Sequence, residues 1–419
     1  MSENKKNTYT IKELYGINNE TSQSERYKKA VKSFKELYGD CEYRIFSASG
    51  RTEVGGNHTD HNFGKVLAAG VSLDVIAIVK QTDDNIIEVK SEGFPKDVVD
   101  LSDLSVHSEE EGKSSSLIRG VAAGFKNKNY GIGGFKAYTT SNVLKGSGLS
   151  SSAAFEVLIG TILNYLYNNL KAGNVEIAQI AQYAENVYFG KPSGLMDQMA
   201  SSVGSFITID FENPEQPIID KIDFDFEKCG HSLCIVDTKG NHADLTPEYA
   251  AIPQEMKAVA GFFGKEVLRG ITISEILENI TELREKFGDR AVLRSLHFLS
   301  ENETVEREAK ALQDGNFDAF LKEVTASGNS SYKYLQNIYA NKSPNEQGLA
   351  IGLNLAEMVL DGEGACRVHG GGFAGTIQAF VPNEKLDKFK ETLNGCFGDE
   401  SCHVISIRPV GGIEVVDNI

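Results

Sequence analysis

SNVLKGSGLSSSAAFEVLIG, residues 141–160, is the stretch on which the reading of the fold turns. A strand-like run ends at its start. Gly146 and Gly148 then allow close backbone approach. Ser150, Ser151 and Ser152 follow, and an apolar-periodic helix opens and runs to residue 170. A helix N-terminus offers unpaired N–H groups and the positive end of the helix dipole. With glycines before it, such a terminus becomes a cradle for phosphate. Capping alone needs one serine and no glycine pair, so three consecutive hydroxyls point beyond capping. The segment is not a Walker loop: the only Gly-Lys-Ser is Gly112-Lys113-Ser114, and the residue five before Gly112 is His107, not glycine.

Outward from this segment, strands and helices mix without the regular alternation of a doubly wound sheet. Upstream, helical spacing covers 23–38, strands are expected at 43–48, 66–79 and 86–89, a helix at 114–126 and a strand at 134–140. Downstream come helices at 175–189 and 196–203, then strands at 205–210 and 232–237. Helices are expected at 248–263, 273–287, 302–313, 316–327 and 344–360. The chain closes with strands 364–369 and 376–381, a helix over 384–395 and a strand over 402–408. The class is α+β in two units, 1–205 and 206–419, with the turn-rich FENPEQP just after the division.

Two further segments concentrate polar chemistry. SASGRTEVGGNHTDHNFGK, residues 47–65, holds Arg51, Glu53, Asn57, His58, Asp60, His61 and Asn62 within twelve positions after a strand. Asn, His and Asp supply the directional donors and acceptors that a polyhydroxylated ligand needs. Two histidines and one carboxylate in a single loop fit that role better than a metal site. VHGGGFAGTIQAFVP, residues 368–382, formally carries GxGxxG in Gly370, Gly372 and Gly375. The following TIQAFV reads as a strand, not the helix that a dinucleotide fingerprint requires. Four glycines in six residues exceed what a hairpin turn needs, and favour close packing against a loop or ligand.

Composition narrows the classes. Lys+Arg 42 against Asp+Glu 59 gives a net charge of −17, which argues against nucleic acid and against an anionic membrane surface. No apolar run approaches the length of a membrane helix, and the polar MSENKKNTYTIKELYG at the start lacks a signal-peptide core. The six cysteines form no CxxC pair and are expected as free thiols. A cytosolic location is expected.

These segments, in this order, resemble the three signature motifs of the GHMP small-molecule kinases. GRTEVGGNHTDHN is similar to the GRVNLIGEHTDYN of the galactokinase family, GSGLSSSAA is nearly the family form, and GGGFAG resembles GGGFGG. GLMDQMASSVG, residues 194–204, resembles the galactokinase stretch that carries the catalytic aspartate. The resemblance implies an N-terminal domain with an unusual β-α-β crossover, a C-terminal domain with a ferredoxin-like core, and an active site between them.

It also implies roles. Asp197 matches the aspartate at the sugar's anomeric hydroxyl and Arg51 the arginine near the transferred phosphate. Asn57, His58, Asp60, Gly194 and Tyr249 match sugar-binding positions. Gly146, Ser147, Gly148, Leu149, Ser150, Ser151 and Ser152, with Gly371 and Gly372, match nucleotide-binding positions. Ser152 and Glu185 match the magnesium ligands; without the resemblance Glu185 is one carboxylate on a helix of mostly apolar or uncharged neighbours, and a lone surface glutamate is one reading of it. The implied activity is ATP- and Mg2+-dependent phosphorylation of galactose at its anomeric hydroxyl. Alternatives are a kinase of N-acetylgalactosamine or galacturonate, and a catalytically silent sugar and ATP sensor. The chain departs from the family at Asn57 (glutamate), Ser49 (proline), Ile252-Pro253 (arginine) and Ser114, near which the family's tryptophan aligns.

Overall fold

The computed structural model describes residues 6–16, 19–143, 148–191, 193–240 and 245–416. Its central element is the strand Lys65–Gln81. Its side chains sort by parity, as a pleated strand requires. Leu67, Ala69, Val71, Val75, Ala77 and Val79 enter the main core. Val66 and Ala68 face the helix Met196–Val203, and Ile76 and Ile78 face the helix Glu20–Tyr38. Because both faces are covered, the sequence here reads as an almost unbroken apolar run.

Around this strand lies a nine-stranded sheet. Its path runs Thr8–Tyr9, Ile413–Val415, Arg44–Gly55, Lys65–Gln81, Phe135–Ser141, Ile86–Ser91, Lys96–Asp100, and Phe206–Asp210 with Ile218–Ile222 branch off the first half of Lys65–Gln81. The implied crossover is present. Ile86–Ser91 turns into Lys96–Asp100, the chain passes through the helix Ser114–Asn127, and Phe135–Ser141 returns parallel to Ile86–Ser91. The helix Ser151–Tyr167 packs its apolar side into the same core.

The second sheet has the order Ala365–His369, Thr376–Pro382, His231–Asp237, Cys402–Ile405, with every neighbouring pair antiparallel. Cys234 and Val236 face the helices Gly348–Leu360 and Leu386–Phe397, while Leu233 and Ile235 join the main core. This is the split βαββαβ arrangement of a ferredoxin-like core, with further helices inserted between its first strand and its first helix.

Several elements differ from expectation. The strand at 43–48 continues through its glycines to Gly55. The helix expected over 302–313 begins at Asp289. Its first half is obscured by Arg294, His297 and Glu301, polar residues on the buried side, each with a partner: Leu335 O and Glu255, Ser330 Oγ and Asn57 O, and Gly56 N and Ser327. The helix expected over 273–287 is two, Ile273–Glu278 and Ile280–Phe287. Phe206–Asp210 and Ile218–Ile222, assigned to the second unit from sequence, pair within the first sheet, as does Ile413–Val415. No helix among the described residues is long and apolar enough to cross a membrane.

Candidate active site

Arg44–Gly55 and Lys65–Gln81 pair regularly until Ser49 meets Asp74; the next partners are Arg51 and Gly70. Such breaks in register re-aim side chains, and this one turns Arg51 toward the serine loop. Gly50 makes the approach possible: a Cβ there would lie 3.0 Å from Leu149 O and 3.2 Å from Leu73 O. The Arg51 N–H donates to Leu149 O at 3.1 Å, while the Leu149 side chain is buried in the core. Gly148 and Ser150 both take positive φ, +70° and +55°. Gly146 and Ser147 lie outside the described residues.

Three groups meet in front of this loop. Arg51 Nε donates to Asp197 Oδ1 at 2.7 Å, and its Nη1 donates to Gly148 O. Ser150 Oγ donates to the other carboxylate oxygen of Asp197, also at 2.7 Å. Among the described residues no side chain caps the helix Ser151–Tyr167; the Ser150 and Ser152 hydroxyls point to carboxylates instead, and Ser151 sits half-buried in the first turn. The Asp197 side chain remains 25% exposed, that of Arg51 8%. Burial would raise the Asp197 pKa, but the charge and hydrogen bond of Arg51, the Ser150 hydroxyl and the field of Lys191 bring it below the usual carboxylate value. Burial works against the Arg51 charge, and Asp197, Glu53 and Glu185 more than offset it.

Glu185 lies in a π turn, Ala184–Phe189, that ends the helix Asn174–Tyr183; such turns are frequent at functional sites. It is buried, not a surface residue. Its Oε1 accepts from Ser152 Oγ at 2.9 Å and from Lys191 Nζ at 3.0 Å. Its Oε2 accepts from Gln198 Nε2 at 2.7 Å, and the same amide reaches Glu156 Oε2 at 3.2 Å. Burial, and then the nearby Glu185, push the Glu156 carboxyl well above its ordinary value. Gln198, Glu156 and Lys191 escape a reading by motif. The one available signal was Gln198 standing next to Asp197 in the chain.

The polar residues of the segment 47–65 gather one step away. Asp60 Oδ2 lies 2.4 Å from where a Cβ on Gly194 would be, so the glycine three residues before Asp197 lets the loop close on that helix. His58 Nε2 donates to Gly371 O at 2.9 Å, and Tyr249 Oη donates to Gly372 O at 2.9 Å. Burial is the main cause holding the His58 imidazole down at about 4, so it is neutral at pH 7. Gly371 lies against the Tyr249 ring, and Gly372, at φ +81°, against Asn337 O. The glycine loop therefore meets His58 through Gly371 and Tyr249 through Gly372; it approaches the serine loop through His369, which lies 3.2 Å from a Cβ placed on Gly148.

Asn57 differs from expectation. It is fully buried. Its Nδ2 donates to Glu53 Oε1 and Gly370 O, each at 2.8 Å, and its Oδ1 accepts from Asn337 at 2.8 Å and Ser331 at 3.3 Å. With all four hydrogen-bonding positions taken by protein, the amide braces the loop and has none left for a sugar. Arg367, also buried, completes the brace, donating to Glu53 Oε1 at 3.2 Å and to Val54 O.

The geometry agrees with comparisons to known proteins. Residues 116–205 match the model of the GHMP kinases N terminal domain, and residues 32–81 the galactokinase galactose-binding signature. A galactokinase of Actinobacillus pleuropneumoniae serotype 3 is 31% identical over 399 residues, covering 90% of this chain and 98% of the relative. One from Streptomyces coelicolor is 30% identical over 369 residues, covering 87% and 91%. Lactococcus lactis galactokinase complexed with galactose shares the fold at a TM-score of 0.77 and 23% identity, over 93% of this chain and 99% of that one. Methanococcus jannaschii mevalonate kinase shares it at 0.62 and 17%, over 87% and 98%. With the family's motifs brought together where the two sheets meet, the chain belongs to the galactokinase family of GHMP kinases and is an ATP-dependent sugar kinase.

Proposed function

We propose that the chain transfers the γ-phosphoryl group of ATP to the anomeric hydroxyl of galactose, giving galactose 1-phosphate and ADP. The observation that carries the reading is the triad of Asp197, Arg51 and Ser150, joined at 2.7 Å beside an uncapped helix N-terminus. The triphosphate rests on that terminus and on the serine loop, where free N–H groups and the helix dipole favour anionic oxygens. The sugar lies between Asp197 and the loop carrying His58 and Asp60, with Tyr249 at its side. Asp197 is ionised at neutral pH and keeps an open edge, so it orients the anomeric hydroxyl and takes its proton as the new O–P bond forms and the bond to ADP breaks. Its low pKa makes it a weak base, which suits a loose transition state in which the proton moves late. Arg51 neutralises charge on the phosphoryl oxygens as a rigid fork.

Ser152 Oγ and Glu185 Oε1 are hard oxygen donors, and an ammonium already stands 3.0 Å from the carboxylate, so the pair suits a magnesium ion. When bound, magnesium would neutralise the triphosphate charge. The six cysteines are free thiols, in keeping with a cytosolic, reducing location.

One observation favours a second reading. The family glutamate replaced by Asn57 is implied to hold the sugar's C6 hydroxyl, and the Asn57 amide is consumed by protein contacts. A sugar altered at C6, such as galacturonate, is then the preferred acceptor. A coupled ADP assay over a sugar panel decides. Highest kcat/KM on galactose supports the first reading, and highest kcat/KM on another sugar the second. ADP release independent of every sugar would overturn both.

A further inference from the structure

Glu185 is contacted by a cation that the reading above leaves without a role. Lys191 Nζ lies 3.0 Å from Glu185 Oε1, the same oxygen that accepts from Ser152. The placement is built. Gly190, at φ +83°, turns the chain out of the π turn, and a Cβ there would lie 2.7 Å from Glu111 Oε1. The Lys191 N–H then donates back to Glu185 O at 3.2 Å. This folds the lysine over the carboxylate it pairs with. Its side chain is 58% exposed while that of Glu185 is 2% exposed, so the ammonium approaches from the open side of the site. Its field also reaches Asp197, where it is among the influences that lower the carboxyl.

We propose that Lys191 is a mobile phosphate-binding cation of this kinase: it holds the Glu185 carboxylate while the nucleotide is away and moves to the nucleotide's phosphate oxygens when the triphosphate arrives. The proposal rests on the phosphate and magnesium reading of the serine loop. A lysine suits the task better than an arginine, because its compact charge rides on a flexible four-carbon stem and its three donors need no fixed fork. A half-exposed ammonium paired to one carboxylate is held weakly, so an incoming triphosphate with several charges competes for it. On Glu185 the ammonium and a divalent metal exclude one another.

The test is Lys191→Met with Lys191→Arg as its control. Metal-free ATP, titrated calorimetrically in the presence of a chelator, is expected to bind Lys191→Met about tenfold more weakly, the scale of one lost charge-assisted hydrogen bond. Lys191→Arg is expected to recover most of that loss. Mn2+ binding to the nucleotide-free protein, followed by electron paramagnetic resonance, is expected to tighten in Lys191→Met because its competitor is gone. Unchanged ATP affinity in Lys191→Met overturns the phosphate contact. Weaker or unchanged Mn2+ binding overturns the exchange, since it would mean that Lys191 only orients Glu185. Glu185→Gln separates this from the magnesium reading. If Glu185→Gln binds Mn2+ as well as the parent, the metal assignment fails, while the metal-free ATP titration still judges Lys191.

Discussion

Two aspartate–arginine pairs flank one break in strand register. Asp74, opposite Ser49, pairs with Arg408 Nη1 at 2.9 Å and Arg26 Nη1 at 2.6 Å, and also accepts from the hydroxyls of Tyr15 and Ser47. Two residues further along the same strand as Ser49, Arg51 pairs with Asp197 at 2.7 Å. Distance alone does not distinguish the pairs. Closure does. The Asp74 side chain has no exposed surface, and its donors come from the first helices, the central strand region and the C-terminal segment, so it ties both ends of the chain to the sheet. Asp197 keeps one quarter of its side chain open, each oxygen has one donor, and its neighbours Gly148 and Ser150 hold left-handed backbone. A saturated carboxylate stabilises the fold, whereas an open one can still accept a proton.

The largest effect expected from breaking this contrast is on turnover. Asp197→Asn removes the acceptor and keeps the shape, so kcat is expected to fall about 10²–10⁴-fold, the usual range for a lost general base. Sugar and ATP affinity should stay within about tenfold, and the melting temperature should change little, because solvent can reach the site. Normal turnover in this variant would dismiss Asp197 from the chemistry. A large drop in melting temperature would erase the distinction between the two pairs.

The mirror experiment is Asp74→Asn. It leaves Arg408 buried opposite an amide, and breaking a buried pair typically costs about 3–5 kcal/mol. The folded fraction should retain its kcat. Acid adds a second reading of the same carboxyl. Burial alone would raise the Asp74 pKa, but Arg26 and Arg408, with the Ser47 and Tyr15 hydroxyls, bring it below the ordinary value. A carboxyl lowered by folding stabilises fully above its unfolded pKa of about 4 and loses that contribution as pH falls through the folded value. Denaturant titrations of the parent and Asp74→Asn should therefore converge as pH drops below about 4. Parallel curves would mean that Asp74 is not the proton-linked group.

Legibility divides along the same line. The Arg51–Asp197 pair belongs to motifs that local chemistry marks in the sequence: glycines and serines before a helix, and an aspartate in GLMDQM. The Asp74 pair belongs to no motif, because its donors lie 334 and 48 residues away along the chain. Elements followed the same rule. Long periodic strands and helices such as Lys65–Gln81 and Ser151–Tyr167 were readable, whereas Thr8–Tyr9, Lys96–Asp100, Ile218–Ile222 and Ile413–Val415 are strands of two to five residues held by pairing rather than pattern. Asn57 is a related case. Its residue type suits a sugar, but whether an amide is free depends on Asn337, Ser331 and Gly370, all more than 270 residues away.

The smallest effect is the most discriminating. Ser150 holds φ +55° without being glycine or asparagine, and left-handed backbone costs an ordinary residue about 1–2 kcal/mol. Its hydroxyl donates to Asp197 and caps nothing. If the strain serves the site, Ser150→Gly should relax the backbone and remove the donor together. Glycine's extra freedom in the unfolded chain takes back about 0.5–1 kcal/mol, so stability should rise by at most about 1.5 kcal/mol. Asp197, with one donor fewer, should become more basic, and the acid limb of the kcat/KM profile should move to higher pH while kcat falls. Ser150→Ala separates the two terms, because it removes the donor and keeps the strain: the same pH shift with no gain in stability is expected. If both variants instead lose stability and leave the pH profile in place, Ser150 is a structural residue and the open pair does not depend on a strained neighbour.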